Sequence, residues 1–146
     1  MKLILAEKPS VALDIAKALG SETSDIKKGY IECSNNTVIT WGYGHLVQVD
    51  EKAMNVSGRW NLDVLPLIPG RFMYKPIEDK KKQFNIIKKL LNKSSEVVIA
   101  TDAGREGELL ARLILNSAGW KDMDRVYRLW TSEALTSEVV KRQLKN

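Results

Sequence analysis

The 146 residues include one cysteine, one histidine and four prolines. With Cys33 alone, an intramolecular disulfide is excluded, and so are the small secreted scaffolds such bridges hold together; Cys33 reads as a small buried hydrophobe. One histidine and one cysteine also exclude an ordinary zinc site, which takes several nitrogen and sulfur ligands. Any metal bound here is a hard cation held by oxygen, of the magnesium type. No apolar run approaches the roughly 20 residues that span a bilayer. The apolar start "MKLILA" meets Glu7 and Lys8 before a secretory core can form. The expected setting is reducing and cytoplasmic, with no membrane partner.

Hydrophobic residues make up 44% of the chain and charged residues 28%, which suits a folded chain and argues against disorder. The length fits a single domain, 1–146. A formal charge of +5 and an isoelectric point near 9.3 favour a polyanionic partner, without specifying nucleic acid.

Residues 2–6 are apolar without a helical period, the mark of a buried strand. Pro9 suits the first turn of a helix, Val11, Ala12, Ile15, Ala16 and Leu19 follow at helical spacing, and Gly20 is its expected stop. Residues 30–33 and 37–41 flank "SNN" and predict a hairpin turning at Asn35-Asn36. Residues 50–78 hold the other three prolines and little periodicity, and are expected to form a long irregular insertion, a feature usually kept for function. A basic amphipathic helix is predicted over 79–91, with Lys80, Lys81, Lys82, Lys88 and Lys89 outward. A second buried strand follows at 96–100, then a helix from about Glu106 to Gly119 built on Leu109, Leu110, Leu113 and Ile114. A third strand is expected at 126–130, and a last helix capped by Thr136 or Ser137. Alternating strands and helices predict an α/β, Rossmann-like fold. Its mainly parallel sheet of about four strands is flanked by helices, with a small hairpin alongside.

In such sheets ligands gather beyond the carboxyl ends of the strands. Two strands end in acids: "LILAE" delivers Glu7 and "VVIATD" delivers Asp102. Glu106 opens the following helix, where a carboxylate is favoured by the helix dipole. Crowded carboxylates repel each other unless a cation lies between them, so the three form a candidate hard-cation site. Gly104 and Gly107 permit close backbone approach, and Arg105 offers a planar fork for phosphate. Neither G-x-G-x-x-G after the first strand nor G-x-x-x-x-G-K-[ST] occurs, which removes the main support for a dinucleotide or P-loop site. The residues alone leave bland readings open. Glu106 and Glu108 equally suit first-turn caps, Lys8 and the lysines of 80–82 a solvated surface, and His45 a structural histidine. Trp60 can equally plug its own loop.

Taken together, "LILAEKPSVA", "VITWGYGHLV", "RWNLDVLPLIP" and "ATDAGREGELLARLIL" resemble the Toprim domain of type IA DNA topoisomerases, the topoisomerase III branch most closely. The likeness covers nearly the whole chain, with four motifs in the family's order. It implies Mg²⁺ held by Glu7 and Asp102, with Glu106 at the end of the acidic motif. It implies that Glu7 also serves in proton transfer to the leaving sugar oxygen. Lys8 matches a lysine near the scissile phosphate, and Arg105 a phosphate-contacting arginine. His45 in "GHL", and Arg59 and Trp60 in "RWNL", are implied along the path of a single DNA strand, Trp60 by stacking on a base.

Two departures qualify what is implied. The broad Toprim pattern D-x-D-x-E has Gly104 where its middle acid belongs, which leaves open whether one metal or two are bound. The family also cuts DNA with a tyrosine from another domain, through a 5′-phosphotyrosyl link. None of Tyr30, Tyr43, Tyr74 and Tyr127 lies in a motif of that kind. The chain is therefore expected to be the N-terminal part of a longer, ATP-independent enzyme that relaxes or decatenates DNA, lacking the C-terminal domains and unable to cleave alone. The alternatives are a metal-independent single-strand DNA-binding module, or a primase- or nuclease-like Toprim protein; the missing middle acid counts against the latter.

Overall fold

The computed structural model describes residues 1–22, 25–54 and 70–145. In chain order its main elements are β1 (Lys2–Ala6), α1 (Pro9–Ala18), β2 (Tyr30–Cys33), β3 (Thr37–Trp41), β4 (Val47–Val49) and β5 (Tyr74–Pro76). There follow α2 (Lys81–Leu91), β6 (Glu96–Ala100), α3 (Arg105–Ala118), β7 (Val126–Arg128) and α4 (Ser137–Lys145). The central sheet runs β2-β3-β1-β6-β7. β1 lies in its middle, parallel to β3 and to β6; β7 is parallel to β6, and β2 returns antiparallel at the far edge. The mainly parallel α/β sheet expected from the sequence is present. It has five strands because the hairpin β2–β3 belongs to it.

The pleat sorts the strand residues to two faces. Leu3, Leu5, Val97 and Ile99 pack with Phe84, Ile87 and Leu91 of α2 and with Ala111, Ile114 and Leu115 of α3. Ile4, Ala6, Val98 and Ala100 pack on the other side with Ala12, Ile15 and Ala16 of α1 and Val140 of α4. Burial on both faces explains why these strands read as continuous apolar runs. Each fully buried leucine or isoleucine contributes about 1.5–3 kcal/mol, so the layers hold β1 and β6 firmly beneath whatever their ends carry.

Local signals set the boundaries. Pro9 opens α1, and beyond it Gly20 adopts φ 81° while Ser21 N–H donates to Ala16 O, a Schellman end. Asn35 and Asn36 both take positive φ, as a type I′ hairpin turn requires. Thr136 caps α4, its Oγ1 accepting the Val139 N–H.

Three expectations are corrected. The stretch 50–78 is not irregular throughout, because Tyr74–Pro76 pairs antiparallel with Val47–Val49; three residues ending in proline are too short to show a period. Leu109 points outward, 51% exposed, and α3 buries Leu110, Ala111, Ile114 and Leu115 instead. Lys80 does not join the solvated face: it is partly buried, and its Nζ donates to the carbonyls of Tyr43 and His45. Among the described residues no helix is long and apolar enough to cross a membrane.

Candidate metal and phosphate site at the strand ends

Register decides the site. Ala6 lies opposite Ala100 across β1 and β6, so both strands release their next residues at one end of the sheet. There the Glu7 carboxylate accepts the Asp102 N–H at 2.8 Å. That bond ties together two residues 95 positions apart. Glu7 is partly buried and Asp102 exposed. The Asp102 carboxylate has no hydrogen bond or ion pair among the described residues, which leaves its oxygens available. β3 closes the other side, with Gly42 N–H donating to Ala6 O at 3.1 Å.

The two glycines of the acidic stretch play different parts. Gly104 has an extended backbone (φ 177°, ψ 175°), which any residue adopts, and a Cβ there would meet nothing within 4 Å. At Gly107 a Cβ would collide with the carbonyl oxygen of Asp102 and lie 3.0 Å from that residue's C and N. Gly107 is thus what lets α3 start hard against the end of β6. Thr101 Oγ1 fastens the contact by donating to Gly107 O at 2.8 Å.

The other sequence candidates divide. Lys8 is exposed at the turn into α1, where its carbonyl accepts the Ala12 N–H. Arg105 opens α3, exposed and without a hydrogen bond or ion pair among the described residues. Glu106 turns toward His45, with Oε1 3.5 Å from Nε2. Among the described residues, no three His, Cys, Asp or Glu side chains are gathered closely enough to hold a metal. Glu7 and Asp102 are the pair the fold brings together. Arg59 and Trp60 lie outside the described residues.

Sequence reasoning missed Arg128. The strand expected over 126–130 stops at Arg128, so Arg128 ends β7 as Glu7 follows β1 and Asp102 follows β6; the longer expected strand hid that position. Its Nη1 donates to Thr101 Oγ1 at 2.7 Å and its Nη2 to Asp102 O at 2.6 Å. Burial pushes the guanidinium's pKa down, and Glu108 works against that shift, as do Glu7 and Asp102 more weakly. Glu108 is therefore more than a helix-capping acid: it pairs with Arg112 at 2.7 Å and with Arg128 at 3.4 Å. Trp130 adds a ring 5.2 Å from the Arg128 guanidinium carbon. The fork of Arg128 holds the Thr101 hydroxyl and the Asp102 carbonyl from the β7 side of β6, β1 and Glu7 lying on the other.

The loop carrying His45 is fixed from behind. Lys80 Nζ reaches Tyr43 O at 2.9 Å and His45 O at 3.0 Å. Gln83, only 6% exposed, donates to Trp41 O at 2.7 Å and to Gly29 O at 3.0 Å. Buried amide groups are retained where such bonds satisfy them, and here they lock the path from β3 to His45.

Sheet order, acid-ended strands and a close helix start together define an α/β domain in which Glu7, Asp102 and Arg128 meet at one sheet end. Residues 2–134 match the family model of the Toprim domain, and the chain belongs to that family. It is similar to the DNA topoisomerase 3 of Staphylococcus aureus strain USA300, 45% identical over 148 aligned positions that cover 99% of this chain and 20% of the relative. The putative DNA topoisomerase 3 of S. aureus strain bovine RF122 matches with the same identity and coverage. The chain thus spans about a fifth of the length of these curated relatives.

Proposed function

We propose that this chain is the Toprim portion of a type IA DNA topoisomerase of the topoisomerase III kind, working in the cytoplasm. In the intact protein, a tyrosine from outside this chain attacks a phosphodiester of one DNA strand. The attack forms a 5′-phosphotyrosyl bond and releases a 3′-hydroxyl. The reverse attack rejoins the strand without ATP, and passing another strand through the gap relaxes or decatenates DNA. The observation that carries the reading is Glu7 and Asp102 meeting at neighbouring parallel strand ends.

The all-oxygen donors and the free carboxylate of Asp102 suit a hard cation such as Mg²⁺. Glu7 and Asp102 would hold it, with Glu106 on the adjoining turn. When bound, the cation supplies positive charge beside the scissile phosphate. Glu7 passes a proton to the leaving 3′-oxygen, and Lys8 and Arg105 present fixed charge to the phosphate. His45, Arg59 and Trp60 lie along the strand's path in this reading.

The test is a Mg²⁺ titration of the chain followed by NMR. The signals of Glu7 and Asp102 should shift together, and that of Glu7 should stop responding in Asp102→Ala; if neither residue responds in the wild type, the metal assignment is lost. The chain alone should leave supercoiled DNA intact. A second reading, single-strand binding without metal, is favoured by the absence of a three-carboxylate cluster among the described residues. Oligonucleotide affinity that is equal in Mg²⁺ and in chelator, and unchanged in Asp102→Ala, would select it.

A further inference from the structure

Behind the His45 loop, on the layer formed by α2, lies an open cleft of about 340 Å³. Ile26 and Ile86 line it with apolar side chains, together with Tyr43, Lys27, Lys82 and Asp79. Tyr43 is 48% exposed, so its ring is open to a stacking partner. Lys27 and Lys82 are exposed, and their ammonium groups have no hydrogen bond or ion pair among the described residues. Lys80, by contrast, spends its charge on the carbonyls of Tyr43 and His45. The lining thus holds three lysines against one acid.

The loop joins this cleft to the strand-end site. Gly42 is bonded to Ala6, the residue before Glu7. Tyr43 comes next at the cleft, and His45 faces Glu106 on the other side. Lys80 and Gln83 fix that loop by its carbonyls, so the Tyr43 ring is carried on a held backbone. An exposed aromatic sharing a cleft with apolar side chains and unpaired lysines is the chemistry that binds one unit of a single strand. The base stacks on the ring and the phosphates meet the lysines. The volume is at the lower end for small-molecule sites and suits a nucleotide rather than a duplex.

We infer that this cleft is a nucleotide subsite for single-stranded DNA, next to the strand-end site, with Tyr43 as its stacking platform and Lys27 and Lys82 as its phosphate contacts. The inference rests on the DNA reading proposed above and extends it to residues that reading does not use.

The test uses this chain with a fluorescent oligothymidylate, affinity being read by anisotropy across a salt series in EDTA. Tyr43→Ala should weaken binding at least about fivefold, the low end of what one stacked base contributes. Tyr43→Phe should stay within about twofold of wild type. Lys27→Ala combined with Lys82→Ala should lower the slope of log affinity against log salt by about 1.4, roughly 0.7 for each phosphate contact on a single strand. Lys17→Ala combined with Lys141→Ala makes the same charge change on the opposite layer and should leave the slope nearly unchanged. Independently of any variant's folding, the oligonucleotide should shift the wild-type NMR signals of Lys27, Tyr43 and Lys82. Equal slopes for the two double variants, an unaffected Tyr43→Ala, or no shifts at those three residues overturns the subsite alone. A wild-type chain that binds no oligonucleotide overturns both the subsite and the DNA reading beneath it.

Discussion

Replacing Gly107 by alanine separates two physical effects of opposite sign. Gly107 lies in the first turn of α3, and a helical glycine changed to alanine ordinarily gains about 1 kcal/mol. Here the new Cβ would strike the Asp102 carbonyl, and the obstacle is backbone rather than a side chain that can swing away. Overpacking of this kind costs roughly 1–3 kcal/mol, occasionally more. The helix start must also retreat from β6, which loosens the Thr101–Gly107 bond and the Asp102–Glu7 bond; each such bond contributes about 0.5–3 kcal/mol. Because the two bonds are loosened rather than broken, they lose about 1 kcal/mol between them, and the balance is a net loss of about 1–3 kcal/mol. At roughly 3 °C per kcal/mol for a chain of this length, the melting midpoint should fall by about 3–9 °C. Gly104→Ala is the matched control, because its backbone is extended and its surroundings are open; its midpoint should stay within about 1–2 °C. Thermal unfolding followed by circular dichroism reads both. A Gly107→Ala chain as stable as wild type, or more so, would refute the claim that close contact between α3 and the end of β6 demands glycine.

Two further substitutions probe the site. Arg128→Met keeps most of the side chain's bulk but leaves Thr101 Oγ1 and Asp102 O without their donor; a loss of about 1–3 kcal/mol is expected in urea unfolding. Arg128→Lys should recover little, because an ammonium cannot span both acceptors as the fork does; full recovery would mean that charge alone matters. Gly104→Asp restores the missing middle acid of the broad motif at a position with open space. It should fold normally and raise Mg²⁺ affinity about tenfold by adding a charged ligand. Unchanged affinity in calorimetry would show that the strand-end carboxylates do not act together on a cation.

What the sequence determined by itself was local. Short continuous apolar runs assigned the central strands and the 3.6-residue period most helices, and Pro9, Gly20, Asn35-Asn36 and Thr136 marked boundaries through backbone preferences that need no distant partner. The acids at Glu7 and Asp102 were legible because each directly follows an apolar run. Only the tertiary structure decided what meets what. Placing β1 between β3 and β6 brings Glu7 onto the Asp102 N–H, an adjacency set by ladder register and by burial on both sheet faces rather than by any local pattern. The same order aims Arg128 at Asp102, although "VYR" alone reads as a short strand. It also turns Lys80 inward, because two carbonyls of the His45 loop stand within reach of its ammonium. At Gly104 and Gly107 identical residues three positions apart received different roles. One faces open space and the other a carbonyl, a distinction that arises only once helix and sheet are packed.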